Sequence, residues 1–145
     1  MDNLTEILTH ICETIPETIG VIMCDQEGEK VVGVAGKATL PTGAADRARS
    51  QLPANMQSEI SSREFVLRIV GAEPCALLRL LDERGQASGA GRVDSFDLRY
   101  RELDLLVQRL PEEYYVVLAL RRPNVIALAR EALSSAAEAI EVELF

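Results

Sequence analysis

Histidine occurs once in this chain of 145 residues and cysteine three times, and neither is set in a pattern that chemistry needs. Cys12, Cys24 and Cys75 stand singly in apolar surroundings with no CxxC pair, so they read as buried free thiols. With His10 the lone imidazole, no cluster of metal-ligand spacing can be assembled, and no serine or cysteine sits in a GxSxG-type turn beside a base. No run of about 18 apolar residues exists and no cationic leader precedes an apolar segment, so a membrane span and a secretion signal both lack support and a cytoplasmic location is expected. Basic residues are also short: 15 Lys and Arg against 23 Asp and Glu leave a net charge of -8, which gives a nucleic acid or an anionic membrane no large basic surface to bind. Protein partners are what remains.

Phosphate loops are missing as well. Gly36-Lys37 follows a strand pattern, but a Walker A loop needs Gly five residues before that pair and Ser or Thr directly after it, where Val31 and Ala38 stand. Gly85-Gln86-Ala87-Ser88-Gly89-Ala90-Gly91 has no GxGxxG spacing and leads into a strand pattern rather than a helix start, so it reads as a flexible connection. Asp25 to Glu29 is too short for a calcium loop and reads as a solvated turn. No cofactor, metal ligand or catalytic residue is expected.

What is present is the pattern of one globular domain. A hydrophobic fraction of 48% and a charged fraction of 26% suit a single core that needs no disulfide staples. Leu4, Ile7, Leu8, Ile11, Cys12 and Ile15 form a helical stripe closed by Pro16. A hairpin follows, Ile19 to Cys24 and Lys30 to Ala35, with Gly28 free to take positive φ in its turn. Near the other end, Tyr115 to Leu120 is an almost unbroken apolar run, as for a strand covered on both faces. Arg121-Arg122-Pro123 stops it, Asn124 reads as an N-cap, and Val125, Ile126, Leu128, Ala129, Ala132, Leu133, Ala136, Ala137 and Ile140 recur at helical spacing.

The middle reads as helix with breaks. Gly43 to Leu52 predicts a short polar helix ended by Pro53, Ser58 to Val70 a second segment, and Pro74 a first helical residue opening Cys75 to Arg84. Cys75-Ala76-Leu77-Leu78-Arg79-Leu80-Leu81 carries apolar residues on too much of its circumference for one buried side, so a second surface must cover it. Val93 to Tyr100 and Leu103 to Val107 alternate as two further strands, with one long bent strand as the alternative because Arg101-Glu102 is a weak turn without Gly or Asn.

The segment from Thr18 to Gly28 and the strand and helix from Tyr114 to Ile140 resemble the roadblock/dynein light chain family, including bacterial MglB-like regulators. The resemblance implies an α+β fold: an α-β-α sandwich on a mostly antiparallel five-stranded sheet, in the order helix, two strands, one or more helices, three strands, helix. One domain spanning 1–145 is then expected, with an extended helical region at about 43–84 and a flexible loop at 85–92. It further implies a homodimer in which the middle helix packs on its symmetry mate, through Leu77, Leu78 and Leu81, while edge strands pair across the interface. The implied partner is a Ras-like small GTPase, regulated without catalytic residues of the protein's own; a scaffold holding other protein subunits together is the alternative. Arg47, Arg49, Arg63, Arg68, Arg79 and Arg84 crowd the middle region, and Arg63, Arg68 and Arg79 are the expected partner-binding residues, arginine being suited to partly buried contacts.

Overall fold

The computed structural model describes residues 3–41 and 62–145, and for 62–72 the backbone alone. The elements run α1 (Asn3–Thr14), β1 (Thr18–Cys24), β2 (Lys30–Ala35), α2 (Ser62–Ser88), β3 (Ser95–Arg99), β4 (Leu103–Arg109), β5 (Tyr115–Arg121) and α3 (Ile126–Leu144). All strands of the described residues join one five-stranded sheet in the order β2-β1-β5-β4-β3, and every pair is antiparallel.

The sheet separates two cores, which makes the chain a three-layer α-β-α sandwich. On one face Leu8, Ile11 and Cys12 of α1 and Ala129, Leu133 and Ile140 of α3 meet Val21, Met23, Val116, Leu118 and Leu120. On the other, Cys75 and Leu78 of α2 meet Ile22, Cys24, Leu105, Val107, Tyr115 and Val117. Because β1 and β5 sit at the centre with helices on both sides, both successive side chains are buried, and the unbroken apolar runs follow from that position. Ile19 joins the α2 side although Val21, two residues on, faces α1; the register shift between Thr18 and Gly20 turns it over.

Local chemistry sets the connections. In the β1–β2 turn, Asp25 Oδ1 accepts the amides of Glu27 and Glu29 at 2.9 and 3.0 Å while Gly28 takes φ 81, so the carboxylate there is consumed by the turn. Gly36 is fixed by crowding: a Cβ on it would stand 2.0 Å from the carbonyl oxygen of Thr18. Its amide and that of Ala38 donate to Ile19 and Thr18, so the Gly-Lys pair extends the β1–β2 ladder and forms no anion cradle.

Three local expectations are corrected. Pro74 does not open a helix; it lies inside α2, buried, where the loss of one backbone donor is offset by the packing of Cys75 and Leu78 on the sheet. Gly85 to Ser88 are the last turn of α2 and not the start of a loop. Gly89 takes φ 80 just past the helix, Ala90 N–H donates to Gly85 O at 2.8 Å and Gly89 N–H to Gln86 O at 3.2 Å, which is a Schellman cap. Asn124 is not the N-cap: Val125 holds that place without a side-chain bond, and the Asn124 amide instead donates to Asp104 Oδ2 at 2.9 Å and to Arg121 O. Val125 and Leu128, counted in the α3 stripe, are exposed. The predicted polar helix from Gly43 to Leu52, with Arg47 and Arg49, lies outside the described residues.

Candidate partner-binding surface on the α2 layer

The phase of α2 divides its apolar residues between two sides. Cys75, Leu78 and Asp82, at spacings of three and four, turn toward the sheet; Leu78 is 6% exposed and Asp82 is half-buried. Leu77, Leu80 and Leu81 follow a neighbouring stripe: Leu77 and Leu81 are half-buried, and Leu80 is 48% exposed. Of the three expected interface leucines, then, Leu78 packs in the chain's own core, and Leu80, not singled out from sequence, stands outward beside Leu77 and Leu81. Its helical phase was the signal that could have found it.

Arg79 is exposed, and its Nη2 donates to Gln26 O at 2.8 Å in the β1–β2 turn. The Cys75 thiol donates to the same carbonyl. The side chains of Arg63 and Arg68 lie outside the described residues. Below Arg79 a cavity of about 410 Å³ is walled by Cys75, Asp82, Arg92, Arg109 and Tyr115. Its charged walls are already engaged with one another: Arg109 Nη2 meets Asp82 Oδ2 at 2.5 Å, Arg109 Nε donates to Val93 O at 2.7 Å, and Arg92 pairs with Glu113.

Tyr115 in the wall of that cavity and Cys24, in the same buried cluster, are chemically quiet. Burial, then the neighbouring Asp25 and Cys75, pushes the Cys24 thiol up to about 12, and burial followed by the hydrogen bond with Cys75 raises the Tyr115 phenol. Both stay protonated at neutral pH, and a protonated buried thiol is a poor nucleophile. Cys12, Cys24 and Cys75 are all buried, and none forms a disulfide. Among the described residues no group of His, Cys, Asp and Glu could hold a metal ion, and no helix is long and apolar enough to cross a membrane.

Asp82 locks the end of α2 to the sheet. Burial acts to raise its carboxyl pKa, but the Val93 amide at 2.8 Å and the Arg109 guanidinium outweigh burial and hold it below the ordinary carboxylate range. A depressed folded-state pKa stabilises the fold above the unfolded value of about 4 and loses that contribution as pH falls through the folded value. Asp82→Asn should therefore lower the melting temperature by about 3 °C at pH 7. In scans from pH 7 to pH 3 that gap should begin to narrow below about pH 4; a gap of constant size would show that the carboxylate charge contributes nothing.

Solved structures with this arrangement exist. The chain superposes on a Roadblock/LC7 domain from Streptomyces avermitilis with a TM-score of 0.70 at 11% identity, covering 99% of this chain and 98% of that one. The roadblock fold is the fold of this chain. The gliding protein MglB from Thermus thermophilus gives a TM-score of 0.71 at 12% identity, covering 95% of this chain and 85% of its own. A structure of MglB with a tetrameric arrangement gives 0.71 at 14% identity with the same coverage of 95% and 85%. No protein-family model and no curated protein matches the sequence. At such identities a shared fold is carried by hydrophobic pattern, which many different side chains satisfy.

Proposed function

We propose that the protein is a non-catalytic homodimer of the roadblock type that binds and regulates a Ras-like small GTPase. The fold, shared over nearly the whole chain with MglB structures, carries the reading, and one of those structures is of a tetrameric MglB. The dimer would form through the outward stripe of Leu77, Leu80 and Leu81 on α2 and the edge of β3, which among the described residues is paired on one side only, with β4. Covering both would bury apolar surface and close an open strand edge together. Arg63, Arg68 and Arg79 on α2 are the proposed contacts with the GTPase.

Regulation then needs no reacting group. A protein that binds the GTP and GDP forms of the switch loops unequally shifts the GTPase between them by the difference in affinity, and each tenfold is about 1.4 kcal/mol. The test is a pull-down of a Ras-like GTPase from the same organism, loaded with GDP or with a non-hydrolysable GTP analogue. Binding at least tenfold tighter to one form is expected, with Arg63→Ala, Arg68→Ala and Arg79→Ala each weakening it by about fivefold, and Glu138→Ala leaving it unchanged. The protein alone should neither bind nor hydrolyse GTP. Equal binding to both forms, insensitive to the three arginines, would leave a scaffold in place of a regulator.

A further inference from the structure

A second surface lies on the opposite layer, where α1 and α3 run side by side. The Asn3 amide at the start of α1 donates to Glu143 Oε1 near the end of α3 at 2.7 Å, while Thr14 and Ala132 face the same groove at its other end, so the helices are antiparallel. The groove follows them from Asn3 to Thr14, about 16 Å at 1.5 Å per residue, or three helical turns. Its volume is about 710 Å³, and its lining is mainly apolar, with Ile7 and Ile11 on one wall and Ala132, Ala136 and Ala139 on the other. Small side chains along α3 let another helix come to the 8–10 Å at which helices pack, roughly as close as neighbours in a bundle.

The lips carry one sign of charge. Glu6 and Glu143 line the groove, Glu13 and Glu138 adjoin its lining residues Thr14 and Ala139 in sequence, and the lining, which includes His10, holds no Lys or Arg. On α1 and α3 together six glutamates stand against a single arginine, Arg130, which is paired with Asp97. Val142 projects at the lip with 88% of its surface exposed.

We propose that this groove docks a basic amphipathic helix of a partner protein, its apolar stripe on Ile7, Ile11, Ala139 and Val142 and its Lys or Arg flanks against Glu6 and Glu143. The charge selects the occupant. An anionic membrane or an acidic helix is repelled, and a second copy would bring the same glutamates face to face. The groove lies across the sheet from α2, so the helix and a partner on α2 bind together. This inference stands independently of the GTPase reading.

The experiment selects binders to the intact protein from a displayed library of helical 18-residue peptides in which flanking positions are drawn equally from Lys and Glu. Lysine-rich binders should be enriched, with amide shifts confined to α1 and α3. Ser135→Trp, which fills the groove from an exposed position, should weaken binding at least tenfold, and so should Glu6→Lys with Glu143→Lys. Unchanged melting temperatures show that these variants fold, and Arg79→Ala should bind the peptides like wild type. Glutamate-rich or no enrichment, binding unaffected by Ser135→Trp, or a dimer that Ser135→Trp alone dissociates would each overturn the proposal.

Discussion

Leu78→Asp should unfold the chain, whereas Leu80→Asp should leave it folded and monomeric. The two leucines are one half-turn apart on α2 and differ in burial, at 6% and 48% exposed. Leu78 packs with Cys75 against Val107, Tyr115 and Val117. Removing its side chain costs about 2–5 kcal/mol in transfer and cavity terms, and placing a carboxylate there adds the penalty of a buried charge without a partner. For a domain whose whole stability is about 5–15 kcal/mol, that is most of it, and circular dichroism should show loss of the cooperative transition at 37 °C. At Leu80 the carboxylate reaches water, so the fold should change by less than about 0.5 kcal/mol. Light scattering at micromolar concentration should then give a dimer for wild type and a monomer of unchanged melting temperature for Leu80→Asp. A Leu80→Asp dimer would remove the outward stripe of α2 from the interface.

That contrast also marks what the sequence could tell. The excess of apolar residues from Cys75 to Leu81 called for two covered sides; the sheet covers one, with Cys75 and Leu78, and the other carries Leu77 and Leu81 half-buried and Leu80 exposed. Which leucine faces which side is fixed by tertiary contacts: the phase of α2 is set by Cys75 and Asp82, and the partners of Asp82, Val93 and Arg109, are 11 and 27 residues away. β1, β2, β5 and α1 were legible because their signals are local. A strand buried on both faces must be apolar throughout, and a two-strand turn with Asp and Gly leaves its mark within five residues.

Pro74, Asn124 and the glycines after Arg84 misled for the converse reason. Each has a strong local preference, and in each case a contact from elsewhere prevails: sheet packing carries the helix through Pro74, Asp104 takes the Asn124 amide, and Gly89 serves as a helix cap rather than as a hinge. The engagement of Arg79 with Gln26, 53 residues earlier, has no sequence signal at all. The groove between α1 and α3 is intermediate. Its glutamates and alanines are visible in the stripes, but that the two helices lie antiparallel and leave space between them follows only from how they cross the sheet.

Gly36→Ala should be among the most damaging single-methyl changes in the described part of the chain. The added Cβ would sit 2.0 Å from Thr18 O and 2.7 Å from Thr18 C, and both are backbone atoms of β1 that cannot rotate away. Relief requires the strands to part, which breaks the bonds from the Gly36 amide to Ile19 O at 2.9 Å and from the Ala38 amide to Thr18 O at 3.1 Å. Two backbone bonds at about 1 kcal/mol each, with strain of about 1–3 kcal/mol, give a loss of roughly 3–5 kcal/mol. For a domain of this size that lowers the melting temperature by roughly 8–15 °C. Gly33→Ala is the control: its nearest obstacles are the γ2 methyl of Ile22 at 2.9 Å and Lys30 Cδ at 3.1 Å, side-chain and not backbone atoms, so a drop of less than half as much is expected. Hydrogen exchange locates the cause, because in Gly36→Ala the amides of Gly36 and Ala38 should lose protection before those of β5. Equal melting temperatures for the two variants would mean that the close approach of β2 to Thr18 is not a fixed feature of the fold.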